Sequence, residues 1–305
     1  MSRRPAWIAI LAFVTAACTS GGGSVSAPQT VPLSGSPNGV AVRASDGAVF
    51  VTDDKTNSIV MTSNLDDASP DFSLYARIPA QEGERGALSQ IAFAPNGHLL
   101  VERFGFGKNS AVFDIAASGQ VALAADANPS RRRLGLVVLD SGTFLSSWFG
   151  KEGDAPSMGG VSLITRGATP GSVTERDLVI GLKKPVGLAV VGDTLFISDQ
   201  AANRIFKVDL QDARTAGGPV QATNVFATVD APDLMAASPD GTLYTKCGAH
   251  ALCSVSKRGT AAVIASDFDA PRGVAVDVAR KRLIAVDRAG ASSGKTSALR
   301  VLPIR

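Results

Sequence analysis

Short apolar runs alternate with polar turns along most of the chain, and six segments repeat one plan. In residues 184–210, KPVGLAVVGDTLFISDQAANRIFKVDL, an apolar run follows Pro-x-Gly, a Gly-Asp turn leads to a second run ending at Asp199, and a third run follows Asn203. Residues 36–62 repeat this plan, with Asp53 and Asn57 in the matching places. Short runs rich in Val, Ile, Leu and Phe between such turns predict β-strands. Each repeat is therefore predicted to be an antiparallel meander.

The remaining four repeats begin at residues 87, 134, 231 and 270. A fourth strand is predicted after the third in each of the first five repeats, at SLYARIPA, GQVALAA, ERDLVIGL, TNVFATV and TAAVIAS. The sixth repeat has only three strands, the last being ALRVLPI at residues 298–304, and TVPL at residues 30–33 is predicted to supply the fourth. Pairing these two segments closes a ring and removes the exposed edge of an open array.

The first residues have the pattern of an export signal. Residues 1–17 contain Arg3 and Arg4 followed by an apolar run that is too short for a membrane-spanning helix. The stretch VTAAC resembles a bacterial lipobox, which predicts lipidation of Cys18 and a Gly/Ser-rich linker up to residue 28. The alternative is an ordinary cleaved signal in which Cys18 is incidental. Thr19 and Ser20 supply no inner-membrane retention aspartate, which favours an outer-membrane anchor facing the periplasm.

The length fits six blades. Removing 17 of the 305 residues leaves 288, or 48 for each repeat, which matches the length of a propeller blade. The predicted fold is an all-β, six-bladed β-propeller over residues 29–305, closed by pairing of the N-terminal strand with the C-terminal blade.

Charge and loop patterns exclude nucleic-acid and nucleotide partners. Without Arg3 and Arg4 the chain has 28 basic residues against 27 acidic ones, so no polyanion partner is implied. The run at residues 131–133, RRR, is predicted to be a solvated loop. AGASSGKTS at residues 289–297 fits a relaxed phosphate-loop pattern, but strands are predicted on both sides of it. That motif requires a following helix, so no nucleotide site is predicted.

Two cysteines of the exported chain flank a short loop. Cys247 and Cys253 lie between strand-like runs, and in an oxidising compartment this spacing predicts a hairpin disulfide. The alternative is a metal or redox role that uses His250. Asp53, Asp199 and Asp287 recur at one position of the repeat, and they are predicted to hydrogen-bond to their own hairpin turns rather than to bind substrate.

The Pro-x-Gly starts, the recurring Asp and the Asn-Arg-Ile that follows it resemble NHL-repeat propellers, and the six repeats resemble the SMP-30/gluconolactonase group. That resemblance implies a divalent metal, usually calcium, held at the channel mouth by residues between Pro and Gly. We call the residues at the corresponding position of all six repeats the ring; they are Asn38, Ser89, Leu134, Val186, Asp233 and Arg272. Leu134 and Val186 offer no side-chain oxygen and Arg272 adds positive charge, so no metal of this type is predicted. If a metal binds, Asn38 and Asp233 are its ligands.

Catalytic signals are absent from the sequence. There is no G-x-S-x-G motif, and His98 and His250 fall in different repeats, so no catalytic residues are predicted and His98 is assigned a structural hydrogen bond. The least regular segments are residues 102–110 and 146–160, both predicted as loops. Loops on rigid scaffolds often bind ligands. Their aromatic residues are predicted either to wall a ligand or partner surface or to cap the sheet ends; these are Phe104, Phe106, Trp148 and Phe149.

The predicted function is a lipid-anchored periplasmic module that binds a small molecule or an envelope protein at the channel mouth, through Asn38, Ser89, Asp233 and Arg272. No cofactor is predicted for this module. The alternative is a divergent lactone or ester hydrolase of the SMP-30 type that uses Ca2+ or another divalent cation. Fold alone does not choose between them, because propellers host both.

Overall fold

The chain forms a six-bladed β-propeller, as predicted. The computed structural model describes residues 28–79, 87–105, 110–126, 128, 130–152, 155–167, 169, 172–290 and 293–304. The predicted export signal, Cys18, most of the linker and Phe106 lie outside the described residues.

Each blade is an antiparallel sheet whose strands follow one another from the channel outwards. The N-terminal strand is β1 (Gln29–Pro32). Blade 1 contains β2 (Pro37–Val42), β3 (Val49–Asp53), β4 (Ser58–Thr62) and β5 (Ser73–Arg77). Blade 2 contains β6 (Ala87–Phe93), β7 (Leu99–Phe104), β8 (Ala111–Ile115) and β9 (Val121–Asp126). Blade 3 contains β10 (Arg131–Val138), β11 (Thr143–Glu152), β12 (Ala155–Arg166) and β13 (Val173–Leu182).

The second half of the chain repeats this order. Blade 4 contains β14 (Pro185–Val191), β15 (Thr194–Asp199), β16 (Arg204–Asp209) and β18 (Val225–Thr228). Blade 5 contains β19 (Met235–Ala237), β20 (Leu243–Lys246), β21 (Leu252–Val255) and β22 (Ala261–Ala265). Blade 6 contains β23 (Pro271–Asp277), β24 (Arg282–Asp287) and β25 (Ala298–Pro303). A 3-10 helix (Gln200–Ala202) follows β15, and helix α1 (Leu210–Thr215) and strand β17 (Val220–Gln221) lie between β16 and β18. Strand β17 pairs in parallel with β13.

The propeller closes by pairing of the N-terminal strand with blade 6, as the sequence predicted. Strand β1 pairs antiparallel with β25, from Gln29 opposite Val301 to Pro32 opposite Ala298, and so becomes the outer strand of blade 6. Val31 is buried in this pairing and packs in the apolar cluster between blades 6 and 1. Similar apolar clusters lie between other neighbouring blades of the propeller. Phe50 of blade 1, for example, packs edge-on against Phe93 of blade 2.

The recurring aspartates hold the start of each blade. Asp199 accepts hydrogen bonds from the backbone N–H groups of Lys183 and Lys184 before β14 and of Ala202 in the following turn. Asp53 and Asp287 also accept N–H groups from the segments that lead into their blades. The predicted bond to the residue's own turn is confirmed for Asp53 and Asp199, whereas the bonds that all three aspartates share are those to the start of the blade.

The prediction of a loop at residues 146–160 is wrong. This segment extends the β11–β12 hairpin, and Trp148 and Phe149 lie in β11 with only 4% of their surface exposed. They therefore form no exposed loop surface. Gly159 and Gly160 of this segment serve close packing, since a Cβ at Gly160 would lie 2.5 Å from the Val179 carbonyl oxygen.

The arginine run is also not a solvated loop. Residues 131–133 lie in β10, and the Arg133 side chain is completely buried. Arg131 and Arg133 both form ion pairs with Glu175 of β13, at 2.8 and 2.7 Å. Arg131 also stacks 3.9 Å from the centre of the Trp148 ring. The run therefore forms a charged cluster within blade 3.

Two local predictions from the sequence are confirmed. Cys247 and Cys253 form a disulfide across the turn between β20 and β21. Residues 293–297 of the phosphate-loop pattern lead directly into β25, and no helix follows Lys295 in the part of the chain that the structure describes. Within the same residues, no helix is long and apolar enough to cross a membrane.

Candidate functional site

The ring residues are directed to the mouth of the channel by bulges in the inner strands. The pairing of the first two strands shifts register between Pro37 and Val40, and between Pro185 and Leu188, so the residue after each proline leaves the regular pattern. Equivalent shifts occur in blades 2, 3 and 6. Such a bulge turns a side chain that would otherwise face a neighbouring strand.

In blades 1, 3, 4 and 6 the glycine that follows the ring residue allows a close approach to the ring residue of the next blade. A Cβ at Gly187 would lie 2.5 Å from the Asp233 carbonyl oxygen, and a Cβ at Gly273 would lie 2.6 Å from that of Asn38. These distances are shorter than van der Waals contact, so a side chain there would push the blades apart. The repeated glycine thus fixes the spacing of the ring.

A buried hydroxyl joins the blades at the same level. Ser198 Oγ accepts the Gly187 N–H at 2.7 Å and donates to the Asp233 carbonyl at 2.8 Å. Ser147 bridges Gly135 and Val186 in the same way. The sequence analysis missed these hydroxyls. Ser198 directly precedes the recurring Asp199, as Thr52 precedes Asp53, and that repetition was the available signal.

All six ring residues line one cavity of about 180 Å3 at the channel mouth. Phe104 also lines it, whereas Trp148 and Phe149 are buried behind this surface. Four further residues that the sequence analysis missed contribute polar groups to the cavity: Asp54, Lys184, Gln200 and Arg288. Lys184 directly precedes the Pro-x-Gly of blade 4, and Asp54 directly follows the recurring Asp53, so both positions were accessible from the repeat.

The mouth contains two ion pairs. Arg272 Nη1 lies 3.3 Å from Asp233 Oδ2, while the other Asp233 oxygen accepts the Leu234 N–H at 2.9 Å. Arg288 Nη2 lies 2.6 Å from Asp54 Oδ2. Burial raises the pKa of Asp54, although the charge of Arg288 opposes that shift. Both mouth carboxylates are therefore already engaged by guanidinium groups.

Lys184 is the third cation of the cavity. Its ammonium donates to Gln200 Oε1 at 2.7 Å, and it forms no ion pair within the described part of the chain. Burial lowers the pKa of Lys184, and the charges of Arg272, Lys246 and Arg132 lower it further against the attraction of Asp233. The site thus holds a partly desolvated ammonium among other positive charges.

Gln90, which directly follows the ring residue Ser89, crosses the channel. Its amide nitrogen donates to the Met235 carbonyl of blade 5 at 3.4 Å, and its amide oxygen accepts the Leu136 N–H of blade 3 at 3.1 Å. One side chain therefore spans the channel. The part of the channel beyond Gln90 is lined mainly by apolar residues of the inner strands.

Neither histidine lines the mouth cavity. His98 Nδ1 lies 2.8 Å from Asp114 Oδ1, which confirms its structural hydrogen bond. His250 Nδ1 lies 2.9 Å from the Asp269 carbonyl oxygen. Neither is placed to act as a base on a molecule bound in the mouth.

The fold is shared with enzymes and binding proteins of the SMP-30/gluconolactonase type. The chain is similar to a calcium-binding regucalcin from Agrobacterium tumefaciens, with a TM-score of 0.65 and 17% identity over 90% of this chain and 93% of that one. It is similar to a gluconolactonase from Xanthomonas campestris, with a TM-score of 0.66 and 16% identity over 91% and 89%. It is also similar to a luciferin-regenerating enzyme, with a TM-score of 0.66 and 11% identity over 90% of this chain and 95% of that one. No protein-family model and no curated protein sequence matches the chain.

The residues of the mouth do not fit the divalent metal that the resemblance implies. Hard cations need several converging oxygen ligands, preferably with more than one carboxylate. Asp233 is the only carboxylate of the ring and is paired with Arg272, while Val186 and Leu134 face the cavity with apolar side chains. Nowhere in the described residues do three His, Cys, Asp or Glu side chains group as a metal site.

Proposed function

We propose that this protein is a binding module that holds a small molecule in the mouth of the propeller channel. The observation that carries this proposal is the concave cavity in which all six ring residues meet charged side chains of the neighbouring turns. Apolar walls with a few converging polar groups are typical of small-molecule sites. A cavity of about 180 Å3, in a channel that the Gln90 side chain crosses, favours a small ligand over a protein partner.

The rigidity of the ring supports this role. Buried hydroxyls and close-packed glycines fix the backbone around the cavity, so the site is formed before a ligand arrives. A preformed site loses little conformational entropy on binding.

A ligand screen by thermal shift tests the proposal, because a molecule that binds the native state raises the melting temperature. Ala87→Trp fills the mouth, and Val278→Trp places the same ring on an exposed turn at the opposite end of the propeller. We expect hits whose stabilisation survives Val278→Trp and is lost with Ala87→Trp. Hits that are unaffected by Ala87→Trp, or a broad screen without hits, would contradict a mouth binding site.

The second candidate is a lactone or ester hydrolase, which the fold shared with the gluconolactonase favours. In that case Asn38 and Asp233 would hold the metal, and the metal would polarise the substrate carbonyl. The pairing of Asp233 with Arg272 argues against this candidate. Metal-dependent turnover of a lactone panel, lost with Asp233→Asn, would establish it.

We also propose that the protein is exported and anchored to the outer membrane through lipidated Cys18. The export signal and the lipobox-like VTAAC support this proposal. The disulfide between Cys247 and Cys253 is consistent with an oxidising compartment such as the periplasm.

A further inference from the structure

The charges around the mouth cavity are unequal. Its lining includes three cationic side chains and two carboxylates; these are Lys184, Arg272, Arg288, Asp54 and Asp233. The two carboxylates pair with the two arginines. Lys184 donates to the neutral Gln200; it is attracted by Asp233, which already pairs with Arg272, and repelled by Arg272, Lys246 and Arg132. The half-buried ammonium of Lys184 therefore shares its nearest carboxylate with an arginine, and the excess of positive charge favours a negatively charged ligand.

Arg272 has unused hydrogen-bonding capacity next to Lys184. Its only hydrogen bond within the described residues is the 3.3 Å contact with Asp233, which is long for a charged pair. Its Nε is buried and has no acceptor, and its side chain is 34% exposed. A planar guanidinium favours carboxylate and phosphate oxygens.

The rest of the cavity suits the body of a small organic molecule. Phe104, Leu134 and Val186 provide apolar contacts, and the ring residues Asn38 and Ser89 come from blades 1 and 2. The Ser89 hydroxyl is committed to the Leu134 carbonyl at 2.7 Å. Lys184, Asp233 and Arg272 come from the successive blades 4, 5 and 6, whereas Arg288 pairs with Asp54 of blade 1.

We infer that the ligand of the channel mouth is a small organic anion whose carboxylate or phosphate group is held between Lys184 and Arg272. This inference rests on the proposed binding function and adds the chemical class of the ligand. The oxyanion supplies the counter-charge that Lys184 lacks, and its oxygens accept from the free donors of Arg272. The apolar and hydroxyl-bearing part of the ligand packs against the ring.

Isothermal titration calorimetry at low ionic strength tests this inference with acetate, gluconate, citrate and inorganic phosphate as probes. Sorbitol is the neutral counterpart of gluconate. We expect at least one oxyanion to bind, sorbitol to bind at least about tenfold more weakly than gluconate, and added salt to weaken the oxyanion complexes. Binding of the carboxylates alone or of phosphate alone identifies which oxyanion the site takes.

Lys184→Met and Arg272→Met remove the charges and keep most of the unbranched aliphatic stem of each side chain. Each is expected to weaken oxyanion binding by about tenfold to a hundredfold, the effect of one charged hydrogen bond. Lys257→Met removes an exposed charge from a turn between β21 and β22, at the opposite end of the propeller, and is expected to leave the affinity unchanged. Melting temperatures of the free variants show that they are folded.

The possible failures are distinguishable. Sorbitol binding as tightly as gluconate, or unchanged oxyanion affinity in both mouth variants, overturns the inference. If no oxyanion binds but neutral molecules from the screen bind and are excluded by Ala87→Trp, the binding function stands and the anion inference is wrong. If neither class binds, both are wrong.

Discussion

Arg272 of blade 6 and Asp233, at the start of blade 5, form an ion pair at the channel mouth, with 3.3 Å between Nη1 and Oδ2. Both residues occupy the Pro-x-Gly level at which related propellers are expected to hold a metal. The pair places a guanidinium beside the only carboxylate of the ring. This single relationship separates the present site from a calcium site on the same fold.

The pair predicts that divalent cations do not bind at the mouth. Millimolar Ca2+, Mn2+ or Zn2+ should leave the melting temperature unchanged, because Asp233 is already neutralised and Arg272 repels a cation. Asp233→Asn should behave like the wild type in this assay, as should Asp240→Asn, which changes an exposed aspartate at the other end of the propeller. A rise of several degrees that is lost only with Asp233→Asn would restore the metal-dependent hydrolase.

The buried Glu102 predicts an unusual pH dependence of stability. Burial raises its pKa to about 8, although the nearby Ser146 hydroxyl and Arg133 charge oppose the rise. Neither carboxyl oxygen makes a hydrogen bond of ordinary geometry to a described residue. The folded state therefore binds a proton that the unfolded state releases above its ordinary pKa of 4.5. Stability should fall as the pH rises from about 4.5 to about 8.

Glu102→Gln tests this directly. The variant should be more stable than the wild type at pH 8, by on the order of 4 kcal/mol at most, and its stability should depend less on pH. Glu175→Gln is the control of opposite sign. Burial alone would raise the pKa of Glu175, but Arg133, Ser162 and the Asn128 N–H hold it at about 2. That variant should lose stability at neutral pH, and urea unfolding at several pH values measures both effects.

The hydroxyl of Ser198 should contribute to stability although it touches no ligand. Ser198→Ala leaves the Gly187 N–H and the Asp233 carbonyl without their bridge inside the protein. We expect a loss of about 1 to 3 kcal/mol in the free energy of unfolding. Ser63→Ala, at an exposed position, should change it by less than about 0.5 kcal/mol. Equal effects of the two substitutions would show that the bridge between blades contributes nothing.

The proposed lipidation of Cys18 predicts that the protein carries fatty acid and resides in the outer membrane. In a bacterium with lipoprotein processing, the wild-type protein should incorporate labelled fatty acid and sediment with outer membranes. Cys18→Ser should abolish both, and the double variant of Cys247 and Cys253 to Ser should retain both. A soluble, unlabelled wild-type protein would show that Cys18 belongs to an ordinary signal.

The fold was predictable because turns and strands are encoded locally and repeat. The Pro-x-Gly start and the recurring aspartate mark blades 1, 4 and 6, the apolar runs between Gly- and Asp-rich turns placed the other three, and the strand at residues 30–33 gave the closure. The ring residues followed from the same repeat. Because the blades are arranged radially, residues at equivalent positions of the six blades lie around one cavity.

Interactions between distant segments were not predictable. The arginines of β10 are polar in sequence and were assigned to solvent, but their partners Glu175 and Asp177 lie in β13, more than forty residues away. Residues 146–160 contain many glycines and were assigned to a loop, whereas Gly160 serves the close approach of Val179. Lys184 was not predicted as a site residue, because its electrostatic environment depends on charged residues of blades 5 and 6.

A crystal structure of the protein soaked with citrate or gluconate tests the central claim most directly. The account predicts density for the ligand in the mouth cavity, with carboxylate oxygens about 3 Å from both Lys184 Nζ and the Arg272 guanidinium. A mouth without ligand density at saturating concentration, or a metal ion bound to Asp233 and Asn38 with Arg272 displaced, would contradict it.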